Sequence, residues 1–409
     1  MKLTQVVKVE GNYEILDNLA KITNGLYNSA LYENSQRYKR EQKFYFYYNL
    51  CNILKDNALY ALLPSQTAQA VLQKVEGAIK SFLKLRRNNA NAAYPRYHKK
   101  NTEWVIPFKS QQIKIDGNIL TVPMSMKYRE EKGLPHLDLK IPNLRYDGIV
   151  KYIELYKTDK WYASIVVDIK EQQESAPKDN LYIDLGVRNL ATVLDGKKVV
   201  IYSGGKASSI NRYRNKKNAK QQAILSTMGK RTSKEKRQIA RKALHQLKQQ
   251  LHSMTKSIVQ TAKAENKGIV VGDLLHIRDN AKYNDNANQK IHQWQFAEIT
   301  KQLFYKAKEF GVKMAKVSEK DTSKTCALCG KETNGRVHRG LYRCKLYNKQ
   351  FNADAGGALN IMKRYLQIPL QQGSGIGVVD VLAHPAVYHW NGMSTDGVMM
   401  PMIEQTLKT

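Results

Sequence analysis

A carboxylate set among strand-forming residues constrains this chain more than any other feature. In Tyr182-Ile183-Asp184-Leu185-Gly186-Val187-Arg188-Asn189-Leu190-Ala191-Thr192-Val193, apolar residues lead into Asp184 and a glycine follows; beyond the turn Asp195-Gly196 a second β-rich run extends from Val199 to Tyr202. The pattern predicts a hairpin carrying Asp184 on its first strand. Burying a carboxylate without a partner costs several kcal/mol. Two readings therefore stay open on these residues alone: Asp184 holds a metal ion, or it is an ordinary strand-end aspartate facing water.

Charge narrows the partner. Sixty-seven Lys and Arg face 35 Asp and Glu over 409 residues, a formal net charge of +32. That excess exceeds what solubility requires and points to a polyanion, with nucleic acid ahead of a membrane surface. No apolar run approaches the roughly 20 residues of a spanning helix, and no signal-peptide core opens the chain, so the expectation is a cytoplasmic protein without membrane contact. Three of the four cysteines cluster as Cys326-Ala327-Leu328-Cys329 and Cys344, which favours a metal site over a disulfide framework.

In chain order, Met1 to Val9 alternates as a strand does, and helical periodicity follows from about Tyr13 to Arg87, with a helix start at Pro64-Ser65. Within it, Arg37, Lys39, Arg40 and Lys43 precede Phe44-Tyr45-Phe46-Tyr47-Tyr48. Rings can stack on unpaired bases while cations neutralise phosphates, so the segment suits nucleic-acid contact, whereas Phe44, Tyr47 and Tyr48 taken singly suit a helix core with Tyr45 at its rim. A basic loop holds Arg96, Lys99 and Lys100. Six strand-like runs then lie between Trp104 and Asp168, as in a small barrel or sandwich. The polar stretch Glu171 to Asn180 marks a domain boundary. Ser208 to Lys256 is strongly basic, carrying Arg212, Arg214, Lys216, Lys217, Lys230, Arg231, Lys236, Arg237 and Arg241, and from Ser233 it reads as one long helix with Ile239, Ala243, Leu247, Leu251, Met254 and Ile258 on its apolar stripe. These cations form either a solvated face or a groove that tracks a nucleic-acid backbone.

The run Ile183 to Leu190 resembles the first catalytic motif of the RuvC-like nuclease domain of TnpB proteins, transposon-encoded relatives of the type V CRISPR effectors. Asn352-Ala353-Asp354-Ala355-Gly356-Gly357-Ala358 resembles the family's last motif, with Gly356 where Asn is usual, and Ile269-Val270-Val271-Gly272-Asp273-Leu274 resembles the second, with Gly272 where Glu is usual. The resemblance implies a multidomain α+β chain: a RuvC-like (RNase H-type) α/β nuclease domain with a zinc-ribbon insert, preceded by a small β-barrel (wedge) domain that a helical recognition lobe interrupts. The implied boundaries are 1–12 (first wedge strand), 13–92 (recognition lobe), 93–176 (wedge), 177–320 (nuclease, first part), 321–350 (zinc-ribbon-like insert), 351–368 (nuclease, second part) and 369–409 (flexible tail). It further implies an RNA-guided DNA endonuclease: a monomer that binds a transposon-derived guide RNA and double-stranded target DNA in a prokaryotic cell.

By the same resemblance two magnesium or manganese ions need about three carboxylates. Asp184 and Asp354 are the outer pair. Since Gly272 has no side chain and Asp273 is one residue out of register, Glu319, delivered by the strand Val312 to Val317, is expected to be the third ligand. Cys326, Cys329 and Cys344 have zinc-ribbon spacing, but Tyr347 stands at the fourth position, so zinc is completed by His338 or water, or the ribbon holds metal weakly. His292-Gln293-Trp294 also resembles the family and suits packing better than catalysis. Three alternatives from other classes remain: a nuclease-dead RNA-guided DNA binder acting as a repressor, a decayed transposon accessory protein, and a DNA-joining transposase.

Overall fold

The polar stretch foreseen as a boundary is where the chain divides, into units Met1–Lys170 and Glu171–Thr409. The computed structural model describes residues 1–133, 136–274, 284–332, 335–338 and 340–390, with the backbone alone at Asp285 and Asn286. The Met-rich end from Met393 to Thr409, expected to be disordered, lies outside the described residues.

The first unit runs β1 (Lys2–Lys8), α1 (Tyr13–Glu41), α2 (Tyr47–Leu54), α3 (Ala58–Ala61), α4 (Ser65–Asn88), β2 (Ile106–Lys109), β3 (Lys114–Asp116), β4 (Ile119–Pro123), α5 (Met126–Lys132), β5 (His136–Lys140), β6 (Ile149–Lys157) and β7 (Trp161–Asp168). Strict alternation drives β7: Trp161, Ala163, Ile165 and Val167 are buried while their neighbours are not. It lies at the centre of a four-stranded sheet ordered β1-β7-β6-β2, so the N-terminal strand pairs with residues more than 150 positions away. β3, β4 and β5 form a separate three-stranded sheet, and the bridge between Glu10 and Lys140 ties it to the end of β1. The helices follow their caps: the Asn12 side chain accepts from Ile15 N at the start of α1, and α4 starts at Ser65, straight after Pro64. The short α5 was not foreseen; Ser125 caps it and left-handed Gly133 (φ 65°) ends it.

The second unit runs β8 (Asp179–Asp184), β9 (Asn189–Leu194), β10 (Val199–Ser203), α6 (Gly205–Thr227), α7 (Lys234–Ala264), β11 (Lys267–Asp273), α8 (Asp285–Gln293), α9 (Phe296–Phe310), β12 (Met314–Ser318), β13 (Arg336–His338), β14 (Leu341–Cys344), β15 (Lys349–Asn352), α10 (Ala353–Tyr365), α11 (Val379–Ala383) and β16 (Ala386–Tyr388). Its six-stranded mixed sheet is ordered β12-β11-β8-β9-β10-β16; β12, β11 and β8 are mutually parallel. Residues alternate between two faces. Ile183, Ile269 and Val271 pack with Leu247, Leu251 and Met254 of α7 and Leu303 of α9, whereas Tyr182 and Val270 pack with Ala355, Ala358 and Leu359 of α10. The sheet is thus sandwiched between helices, and its parallel centre reads as an unbroken apolar run.

Two expectations need correction, and one element was not foreseen. Asp184 does lie on the first strand of a hairpin, but its partner is not the expected Val199–Tyr202 run: the chain reverses between Asp184 and Asn189, so β8 pairs with β9 (Asp184 opposite Thr192) and β9 pairs in turn with β10. Gly186 permits the reversal, since a β-carbon there would come 2.7 Å from the Asn189 carbonyl oxygen. The basic stretch before Ser233 is itself a helix, α6. Residues 369–390 are built into the fold: Leu370 and Leu382 are buried, Ser374 N and Gly375 N donate to the Ala327 and Leu328 carbonyls, and β16 pairs in parallel with β10. Gly373 to Gly377 therefore packs against the cysteine loop.

Candidate metal centres

β8 ends at Asp184 in the middle of the sheet, and α10 crosses over that end. A β-carbon at Gly357 would stand 2.6 Å from Asp184 Oδ2, so only glycine lets the helix pass this closely over the carboxylate. One turn earlier, Asp354 occupies the same face of the helix. The Asn352 side chain caps this end, accepting from Asp354 N at 3.0 Å and Ala355 N at 3.1 Å. Asn189, on the strand that follows the Asp184 reversal, donates through Nδ2 to Asp354 Oδ2 at 2.7 Å, and Arg336 Nη2 lies 3.4 Å from Oδ1. At Gly356, a β-carbon would lie 2.6 Å from the buried Phe351 ring, which leaves no room for the asparagine usual in the resembled motif.

Glu319 follows the last residue of β12. Parallel pairing sets Gly272 beside Val317 and Asp273 beside Ser318. Just past that register the chain turns, with Thr322 N and Oγ1 donating to the Glu319 carbonyl, and the Glu319 side chain folds back over Gly272. Its carboxyl fills the volume in which a side chain at 272 would begin. Oε1 is buried with no hydrogen-bond partner. Desolvation and the charge of Asp273 push the Glu319 pKa up to about 7. Asp184 is raised well above the usual carboxylate range by desolvation and then by Glu319 and Asp354, with Arg336 opposing. Asp184 thus feels the charge of both other acids, whereas Glu319 responds to burial and Asp273, and among the described residues the three carboxylates are not a group whose donor atoms already converge on one ion position.

Such repulsion in a desolvated place is relieved by a cation, and the orphaned Glu319 Oε1 offers a donor for one. Beside Asp354 and Arg336 opens a groove of about 1220 Å³, also lined by Arg188, Asn211, Arg212, Asn215, Lys290 and Gln293. Asn215 and Gln293 hydrogen-bond each other across it. Of His292-Gln293-Trp294, Trp294 is buried, in keeping with a packing role.

The second cluster is sulfur. The Sγ atoms of Cys326, Cys329 and Cys344 lie within 4.8 Å of one another. Burial pushes Cys326 up to about 12; burial also opposes ionisation of Cys329, yet the Lys331 backbone N–H and the neighbouring thiols hold it below the ordinary thiol range. Three soft donors at this separation suit zinc. His338 is not part of the group: it is exposed on β13, opposite Leu341, so the expectation that it completes the site is not supported by its placement. Tyr347 lies in the turn after β14, 40 % exposed. α10 anchors this loop: buried Asn360 donates to the Thr322 and Thr325 carbonyls, and buried Lys363 donates to those of Ala327 and Gln372.

The cations chosen from sequence are mostly exposed, as for Lys39, Arg40, Lys43, Arg96, Lys99, Lys100, Lys216, Lys217, Lys230, Arg231, Arg237 and Arg241. Of those in the second unit, Arg212 alone lines the groove beside Asp354. Arg214 is half-buried, and desolvation lowers its pKa. Lys236 bonds Gln222. Tyr45 lies under Arg37, 4.0 Å from the guanidinium carbon. Sequence reasoning missed Asn189, Arg336 and Gly357 as parts of the acid site; for Asn189 the available signal was its place in the motif five residues after Asp184.

The fold is similar to that of Cas12f1. The chain matches the structure titled "Cryo-EM structure of the Cas12f1-sgRNA-target DNA complex" with a TM-score of 0.58 at 18% identity, covering 85% of this chain and 82% of that one. Residues 164–278 match the family model "Probable transposase" (OrfB_IS605), and 296–361 match "Cas12f1-like, TNB domain". The putative RNA-guided DNA endonuclease InsQ of Escherichia coli is 27% identical over 330 residues, 73% of this chain and 74% of InsQ. TnpB-like protein MJ0751 of Methanocaldococcus jannaschii is 30% identical over 115 residues, 28% of this chain and 41% of that protein. The chain is thus similar to TnpB-like proteins, through an OrfB_IS605 region and a Cas12f1-like TNB region.

Proposed function

We propose that the chain is an RNA-guided DNA endonuclease whose divalent-metal site is made by Asp184, Glu319 and Asp354, in a RuvC-like domain. The relatives carry the first half of this reading, since InsQ is named a putative RNA-guided DNA endonuclease. The second half rests on one observation: the half-buried Glu319 side chain fills the space that Gly272 leaves open, with Oε1 buried and without a hydrogen-bond partner, and its charge reaches Asp184. On this reading Glu319 takes the place of the side chain that Gly272 lacks, which favours an active nuclease over a nuclease-dead binder.

Bound there, divalent cations would supply an activated water and a stabilised leaving oxygen for phosphodiester hydrolysis. The protein's part is to hold the donors. β8 fixes Asp184, the turn after β12 fixes Glu319, and Asn189 orients Asp354. Arg188, Arg212, Lys290 and Arg336 give the adjoining groove a cationic lining suited to phosphates. The thiol trio, completed by water, is proposed to hold zinc and to stabilise the β13–β14–β15 hairpins. Guide RNA and double-stranded target DNA are the proposed partners, with sequence choice left to base pairing.

The test is cleavage of a plasmid library by protein purified with its co-expressed flanking RNA, beside Asp184→Ala. Magnesium-dependent cuts absent from the variant are expected. RNA-directed binding without cuts by the parent would contradict the enzyme reading.

A further inference from the structure

Away from the acids, the first unit holds a cleft of about 580 Å³ where α1 ends against α4. Its size fits one nucleotide, and its walls combine the two chemistries a nucleotide needs. Aromatic wall comes from Tyr38, Phe44 and Phe46. Tyr38 and Phe44 stack face to face at 4.7 Å and 7°, with Phe82 and Tyr94 behind Phe44. Phe44 is thus part of the packing. Phe46 is not: it is 38% exposed, packs in no ring pair among the described residues, and has only the Lys80 ammonium 5.8 Å over its ring.

The cations follow the same division. Arg37 is ion-paired to Glu41 at 3.1 Å, and Arg86 is held by the Tyr38 hydroxyl. Lys43 is exposed, with no hydrogen bond or ion pair among the described residues. No carboxylate lines the cleft. Gln42, left-handed at φ 55°, ends α1 and places an amide in the wall, able to meet the edge of a base.

We propose that this cleft takes one unpaired nucleotide of a single strand, with its base stacked on Phe46 and its phosphate met by Lys43. This rests on the nucleic-acid reading above and deepens it. An exposed phenylalanine flanked by an uncommitted lysine, with no facing acid in the cleft, is well matched to a stacked base and its phosphate. A duplex base pair, stacked on both faces, would not enter. Either DNA or RNA supplies the same chemistry.

The experiment uses the full chain with ten-residue oligothymidylate, ten-residue oligouridylate, and a duplex of equal length. Phe46→Trp is expected to bind single strands as the parent does, with its emission quenched on binding. Phe46→Ala should bind them about 10-fold more weakly with duplex affinity unchanged. Quenching by one oligomer or by both supports the site and tells which strand it takes. If Phe46→Ala bound single strands like the parent and Phe46→Trp emission did not respond, the cleft would not be the site, although nucleic-acid binding would stand. If the parent bound no nucleic acid at low salt, this proposal and the reading beneath it would both fail.

Discussion

The carboxyl of Glu319 stands where a side chain on Gly272 would have to be. The two positions come from adjacent parallel strands, with Gly272 paired to Val317, and only one of them can carry the acid. Glycine at 272 is the condition for Glu319 to reach the place. Any residue with a β-carbon at 272 must displace that carboxyl, which makes the pair exchangeable and not independent.

An exchange follows. Gly272→Ala alone should destabilise the protein by about 1–3 kcal/mol by overpacking and reduce cleavage. Gly272→Glu with Glu319→Ala should recover much of the activity that Glu319→Ala loses. Cleavage rates of the three variants, read with thermal melts, check this; recovery no better than Glu319→Ala would mean the positions are not equivalent.

Metal-free protein should lose stability as pH rises. Glu319 is pushed up to about 7 from an ordinary 4.5, and Asp184 is raised as well, so the folded state holds more protons than the unfolded chain between those values. Stability is complete below about 4.5 and declines through about 7, by at most about 3 kcal/mol for Glu319. Melts in chelator across this window should show the decline, and Glu319→Gln should flatten it. A parent whose stability rises over the window relative to Glu319→Gln would contradict the burial argument.

Asn189→Ala should leave the fold intact and cut activity by about 10- to 100-fold, as loss of a partner that orients a metal donor does. The hydrogen bond to Asp354 Oδ2 is the reason. Rates beside an unchanged melt are the check.

Tyr347→Cys should tighten zinc binding, because the turn after β14 places this half-exposed residue three positions beyond Cys344, where a fourth thiolate completes a tetrahedron. Competition with a chromogenic chelator should show slower and weaker zinc loss than in the parent. Equal loss would mean the turn does not bring position 347 to the thiols.

Much of this was legible in the sequence. The strand Lys2–Lys8, the start of α4 at Ser65, the Ser233 cap of α7 and the strand Lys267–Asp273 all announce themselves by period or punctuation. The reversal at Gly186 did not, since a lone glycine in a β-rich run reads equally well as a bulge. α6 was hidden because its polar residues give no apolar stripe. Residues 369–390 looked like tail; their packing depends on Lys363 and the Ala327 and Leu328 carbonyls, which are distant partners that local pattern cannot reveal. Glu319 could be named, but only geometry places it over Gly272.

The most direct test of the acid site is Glu319→Gln in the guide-loaded protein, assayed for target binding and for magnesium-dependent cleavage side by side. The site as described requires binding to persist while cleavage falls at least about 100-fold. Cleavage at the parent rate would show that Glu319 is not a donor, and the space over Gly272 would be filled for packing alone.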